Sequence, residues 1–233
     1  ENVMNKELYD EAIRSNILSR KLIEQLMESM NYRKIFQGCS SLDFLKANQV
    51  LIPLEKLYRR YTGESLAVKL SDFADVSERI QYLVTQVEEI TKIDNFGAYL
   101  TAMLEIDAFF MNEDRHTNNI AVIYNEKTQK YELSPFFDQG LCMFADINQD
   151  YPIDQSLEYC LEKIEAKPFS SDFDIQLDAA EELYGIQIGF QFTFKDIQIY
   201  LQKNSENYPR EVIRRVEQLL RRQMRKYGYL MKK

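Results

Sequence analysis

At 233 residues the chain can bury a substantial core, and a composition of 45% hydrophobic and 12% aromatic residues excludes a disordered polypeptide. The formal charge of −8 is uneven: Tyr208 to Lys233 hold nine Lys or Arg against two Glu, which leaves −15 elsewhere, so general nucleic-acid binding lacks its phosphate-neutralising cations. Three cysteines (Cys39, Cys142, Cys160) without a Cys-x-x-Cys pair argue against a disulfide framework or a zinc site, and a single histidine against a His-based metal centre.

Seven glycines and five prolines are few, which favours helices over a turn-rich sandwich. Leu8 to Met30 place apolar residues at three-to-five spacing, one face of a long amphipathic helix. Tyr32 to Phe36 then fit a short strand. Asp43 to Leu57 are ambiguous, with Pro53 opening a short helix at Leu54. Ser65 to Ile90 are again helical, with a break between Asp72 and Ser77. Ala98 to Met111 are apolar on nearly every side, as expected of a helix at the domain centre.

The period then changes. Ile120 to Tyr124 form a β-type run, Asn125 to Lys130 a polar turn, and Tyr131 to Phe137 a second run interrupted by Pro135, together a β-hairpin. Leu157 to Ile164, Phe173 to Tyr184 and Phe194 to Leu201 read as helices, and a long helix from about Pro209 to Tyr229 closes the chain. No stretch reaches the roughly 18 to 20 apolar residues that span a bilayer, and the first twenty residues mix both charge signs, unlike a signal peptide. A cytoplasmic protein with no membrane partner is expected. The opening residue is Glu1, not methionine, as in a piece of a longer polypeptide.

The segment with chemistry joins the buried helix to the hairpin: Asn112-Glu-Asp-Arg-His-Thr-Asn-Asn-Ile-Ala-Val. Asp114 and Asn119 are five residues apart in a loop, and Asp138, followed by Gln139 and Gly140, comes directly after the second run. The hairpin therefore returns Asp138 beside Asp114 and Asn119. Phosphoryl transfer needs a carboxylate to orient the attacking hydroxyl and accept its proton, and oxygen ligands for Mg²⁺. Asp114 suits the first role; Asn119 and Asp138 suit the second. Gly140 is expected to let the backbone turn tightly behind the metal ligand. Arg115 either touches phosphate or pairs with a neighbouring carboxylate. Singly, an Asp or Asn in a loop is more often a turn former or helix cap; the argument rests on the set.

Asp-Arg-His-x-x-Asn, a short hairpin and Asp-x-Gly resemble the catalytic and metal-binding loops of phosphoinositide-3-kinase-like enzymes. The wider context, Phe-Met-Asn-Glu-Asp-Arg-His-Thr-Asn-Asn-Ile followed by Ser-Pro-Phe-Phe-Asp-Gln-Gly, is more similar to bacterial HipA-like serine/threonine kinases. The resemblance is strongest over Ala98 to Phe144. It implies a mainly α (α+β) fold, a kinase C-lobe-like helical domain over 61–233 with a short catalytic β-hairpin, and over 1–60 a partial N-lobe remnant and hinge-like region. It also implies Mg²⁺ and ATP as cofactors, Asp114 as catalytic base, His116 as a loop-ordering residue of the catalytic set, Asn119 as catalytic, metal- and nucleotide-binding, and Asp138 as metal- and nucleotide-binding. The partners it implies are a protein Ser/Thr substrate and an antitoxin or a polypeptide that supplies an N-lobe.

The sequence departs from a complete kinase in two respects. It has no Gly-x-Gly, and the one lysine before the first long helix, Lys6, lacks a strand pattern; Glu11 is a weak candidate for the helix glutamate, without its lysine. A pseudokinase or kinase fragment that acts as a binding module is therefore the alternative, and a lipid kinase a third reading. The closing helix carries Arg210, Arg214, Arg221, Arg222 and Arg225. It either docks on the body with its arginines solvated or paired, or meets a membrane surface or acidic partner. Cys142 reads as a buried thiol, or as redox-sensitive if exposed.

Overall fold

The computed structural model describes residues 43–232. The expected helix over Leu8–Met30, the strand over Tyr32–Phe36, Lys6, Glu11 and Cys39 lie outside them. The chain divides at Lys46/Ala47, and every element described below belongs to the second unit.

The elements run β1 (Gln49–Pro53), α1 (Leu54–Thr62), α2 (Leu66–Ser71), α3 (Val76–Thr91), α4 (Phe96–Phe110), β2 (Ala121–Asn125), β3 (Lys130–Leu133), α5 (Leu157–Lys163), α6 (Phe173–Tyr184), α7 (Phe194–Lys203) and α8 (Arg210–Lys226), with a 3₁₀ turn over Gly228–Leu230. The described residues thus form a mixed α+β structure, about half helical. None of these helices is long and apolar enough to cross a membrane.

The ends of these helices follow from local chemistry. Ser65, Asp75, Ser156 and Asp172 each accept a hydrogen bond from a first-turn amide of the helix they precede. Asp72 and Asp75 flank the break expected between α2 and α3. Thr193 and Asp196 form a reciprocal capping box at α7. Pro53 opens α1, as its position implied.

The sheet has one strand more than the expected hairpin. β1 pairs antiparallel with β2 (Gln49↔Asn125 to Pro53↔Ala121), and β2 with β3 (Val122↔Leu133 to Asn125↔Lys130), so β2 is central. β3 ends at Leu133, before the expected Phe137. Pro135 has no amide to give the ladder, and the buried Ser134 hydroxyl donates to the Ala121 carbonyl at 3.0 Å.

Helix α4 lies at the centre, as its all-round hydrophobicity implied. Phe96, Leu100, Met103 and Leu104 belong to one apolar core with α1, α3, β2 and Phe169. Ala108 and Phe109 belong to a second core with Phe144, Tyr151, Cys160 and α8. Helix α8 docks through Leu219 and Leu220, and through buried Gln223, which donates to the Ala108 carbonyl at 2.8 Å. Its buried Arg215 donates to the carbonyls of Tyr151 (2.8 Å) and Pro152 (2.9 Å), and Arg221 lies 3.9 Å from the centre of the Phe194 ring. The helix is therefore docked on the body through its apolar face.

At Gly97 the absence of a side chain lets α4 approach α6: a Cβ there would sit 2.5 Å from the Tyr184 ring. Gly97→Ala is expected to lower stability by about 1–2 kcal/mol, overpacking outweighing the gain in helix propensity. Tyr184→Leu in the same chain should restore part of the loss in urea unfolding. An unchanged midpoint for the single variant would refute this packing account.

Candidate active site

The loop that carries Asp114 begins where α4 ends. Met111 adopts a left-handed conformation (φ 55°) and its amide closes the helix on the Asp107 carbonyl. Asn112 is fully buried; its side chain donates to Asp107 Oδ1 at 2.8 Å, and its Oδ1 accepts from the Asp114 amide at 3.3 Å. Tight backbone bonds follow, His116 amide to Asp114 carbonyl (2.9 Å) and Asn119 amide to His116 carbonyl (2.8 Å).

Arg115 organises the site. Its side chain and that of Asp107 are both 0% exposed and form a bidentate pair, Nε to Oδ2 at 2.7 Å and Nη2 to Oδ1 at 2.9 Å. Its Nη1 donates to the Asn119 carbonyl at 2.7 Å and to the Phe137 carbonyl at 3.0 Å. One nitrogen thus binds the backbone at Asn119 and the residue before Asp138, so the two carbonyl oxygens lie no further apart than those two bonds together. Two further bonds join the loops: Met143 amide to Phe110 carbonyl (2.9 Å) and Glu113 amide to Leu141 carbonyl (3.4 Å). The two readings left open for Arg115 are resolved in favour of the neighbouring carboxylate.

The electrostatics agree with this division of roles. Burial alone would lower the Arg115 guanidinium, but the hydrogen bonds and charge of Asp107 outweigh it and hold it above its ordinary value. Burial raises the Asp107 carboxyl against the donors Arg115 and Asn112. A guanidinium does not deprotonate in proteins, and both Asp107 oxygens accept its hydrogen bonds, which is the geometry of an ion pair. Burial, assisted by the nearby Asp107 charge, pushes the Cys142 thiol up to about 12, which makes it a poor thiolate.

Each residue anticipated from the sequence can now be located. Asp114 is partly exposed, with Oδ1 3.3 Å from Lys167 Nζ and Oδ2 3.7 Å from His116 Nε2. His116 Nδ1 accepts from the Asn118 amide at 3.2 Å, an ordering contact within the loop. Asn119 is buried and donates through Nδ2 to the Asp114 carbonyl at 2.9 Å; its Oδ1 accepts no hydrogen bond from the described residues. Asp138 is exposed, has φ 56°, and its carboxylate pairs with none of the described residues. Left-handed non-glycine residues are uncommon and concentrate at functional sites, and Asp138 shares this loop with two more, Met143 and Phe144.

Gly140 does not carry the tight turn assigned to it. The left-handed conformation falls on Asp138 itself, which Asp tolerates better than most residues, and a Cβ at Gly140 would meet nothing within 4 Å.

Sequence reasoning missed Asp107, Asn112 and Lys167. Asp107 had a signal, a carboxylate inside a helix apolar all round. Lys167 had none, because it follows Asp114 by 53 residues and meets it only in the fold. Among the described residues no three His, Cys, Asp or Glu side chains are grouped to hold a metal ion. Neither a family model, a curated protein nor a solved structure gives a significant match to the chain.

Asp107→Asn should cost about 3–5 kcal/mol, because it strands a buried guanidinium. The double variant Asp107→Leu/Arg115→Met should recover much of that loss while separating the two loops. Chemical denaturation of the three chains is the check, and a loss below about 1 kcal/mol in the single variant, the level of a surface pair, would contradict the central place given to this contact.

Proposed function

We propose that this chain is the catalytic half of a HipA-like kinase, transferring phosphate from Mg–ATP to a protein Ser/Thr hydroxyl. The observation that carries the reading is the Arg115 guanidinium, which ties the carbonyl of Asn119 and the carbonyl before Asp138 to one nitrogen. Two separate loops are thereby drawn together, and the residues they bear are the set such chemistry requires.

The donor set fits Mg²⁺. Among the described residues nothing pairs with the Asp138 carboxylate or donates to the Asn119 amide oxygen; both are hard oxygen ligands. Two protein ligands suffice where substrate phosphates and water complete the shell. When bound, Mg²⁺ neutralises the phosphate oxygens.

The chain's own residues do the remainder. Asp114 accepts the proton of the attacking hydroxyl, its main chain fixed by Asn119 Nδ2 and by the amide of His116. His116 orders the loop through the Asn118 amide and stands beside the Asp114 carboxylate. Arg115 stays buried and keeps both loops in register, which matters because this catalysis is mainly positioning and electrostatics. A C-lobe-like architecture for 61–233 and an N-lobe remnant over 1–60 belong to the same reading, as do a cytoplasmic location and an antitoxin or N-lobe-supplying partner.

A second reading has its own observation. No Gly-x-Gly occurs in the sequence, so a chain that binds nucleotide without turnover, a pseudokinase or kinase fragment, is the competing account.

The two readings separate in one experiment. Mg–ATP at about 100 times its Kd should stabilise the wild-type chain by about 2.7 kcal/mol, read as a rise in Tm. Asp138→Ala should abolish that rise. Asp114→Ala should keep it yet lose about 10²-fold or more of peptide phosphorylation, at the low end of what one general base contributes. No rise in the wild type, or full transfer in both variants, removes the kinase proposal. A rise with no transfer to any Ser/Thr peptide selects the binding-module reading.

A further inference from the structure

Lys167 reaches Asp114 from a segment outside the two loops and the hairpin. Its Nζ lies 3.3 Å from Asp114 Oδ1, on the opposite carboxylate oxygen from His116. The backbone that bears it is firmly built. The side chain of buried Gln176 donates to the Lys167 carbonyl at 3.1 Å and accepts from the Phe169 amide at 3.4 Å, and Phe169 is fully buried in the first core. Arg79 donates to the Phe169 carbonyl at 2.6 Å, and the Ala166 amide to the Ser171 carbonyl at 2.8 Å. The lysine side chain, by contrast, is 51% exposed. A flexible cation therefore projects from a rigid base toward the candidate catalytic carboxylate.

An ion pair this exposed adds at most about 1 kcal/mol to stability, so folding alone gives the arrangement little purpose. Lys167 and His116 also line one concavity of about 200 Å³, with Ala67, Leu70, Thr117 and Pro168. Ligand pockets usually run from about 300 Å³ upward, so this one is small for a nucleotide. It has the scale of a single side chain.

We infer that Lys167 is a catalytic residue of the proposed transfer, the cation that meets the phosphoryl group in transit. The inference rests on the kinase reading and deepens it. As the acceptor oxygen bonds to the γ-phosphorus, the bond from that phosphorus to the β,γ-bridging oxygen breaks and ADP leaves. The hydroxyl proton passes to Asp114. Lys167 then exchanges a carboxylate whose charge is being neutralised for phosphoryl oxygens whose charge is exposed. A four-carbon stem that is half free can make that short move, and a compact ammonium suits a point-charge role. Lys167 would thus supply from the C-terminal side a phosphate-facing lysine, where the one lysine ahead of the first expected helix, Lys6, lacks a strand pattern.

The test compares wild type, Lys167→Met, Lys167→Gln and Lys167→Arg by thermal shift with Mg–ADP, and with Mg–ADP plus aluminium fluoride, which mimics the phosphoryl group in transit. Peptide phosphorylation is measured alongside. The unliganded Tm and the Mg–ADP shift should be the same in all four. The added shift from aluminium fluoride should vanish in the Met and Gln variants and return in the Arg variant. Their kcat should fall about 10²- to 10³-fold, the size seen when one transition-state donor is removed, with KM for ATP unchanged. Full retention of the aluminium fluoride shift and of kcat in Lys167→Met overturns the inference and leaves the kinase reading standing. A wild-type chain that binds Mg–ADP but gains nothing from aluminium fluoride overturns it too. A wild-type chain that shows neither shift overturns the kinase reading beneath it.

Discussion

The arrangement of the candidate site depends on a guanidinium and a carboxylate buried together. Removing two charges from solvent is costly, and their attraction repays it only with good geometry and with the remaining donors satisfied. Both conditions hold. Asp107 takes two bonds from Arg115 and one from Asn112, and the third arm of Arg115 binds two backbone carbonyls. An apolar pair of similar volume would fill the space at less cost but would hold neither carbonyl. The spare donor of the charged pair joins the loop of Asp114 and Asn119 to the segment ending at Asp138.

That pair acts from a helix whose other faces are hydrophobic. α4 contributes to both apolar cores, so its position is overdetermined. Its two buried carboxylates then act as fixed outriggers. Glu105 accepts the amides of Gln187 (2.8 Å) and Ile188 (2.6 Å) and secures the segment after α6, while Asp107 secures the Asp114 loop through Arg115. Loops that carry function are precise only when a rigid element aims them. Here one helix aims both sides of the structure.

What the sequence revealed follows the range of the forces involved. Helix α6 was read to the residue and the α2–α3 break was placed correctly, because apolar period and Asp or Ser caps are local signals. The hairpin was legible for the same reason. β1 was not: Gln-Val-Leu-Ile-Pro is too short for its period to tell strand from buried helix, and it becomes a strand by pairing with β2, some seventy residues away. The candidate site divides in the same way. Asp114, His116 and Asn119 fall within six residues and Asp138 follows one hairpin later, so spacing exposed them. Asp107 hid within a helix that looked purely structural, and Lys167 reaches the site only through the packing of Phe169 and the clamp of Gln176.

Charges here sort by how fully the protein itself answers them. Asp107, Glu105, Arg115 and Arg215 are buried and met by short hydrogen bonds, so each is consumed in holding the fold. Among the described residues Asp138 has no partner, and Asp114 has Lys167 and a more distant His116, both through exposed contacts. A site built to hold an anion through a divalent ion needs the second kind of charge, close to its ligand and weakly committed to the protein. It needs the first kind behind it, because an exposed carboxylate on a loose loop would spend binding energy on ordering the loop. On the proposed reading the buried ion pair and the exposed carboxylates are two parts of one device: Arg115 restrains the backbone of both loops, while the side-chain oxygens of Asn119 and Asp138 accept no hydrogen bond from the described residues and Asp114 is held only by exposed contacts among them.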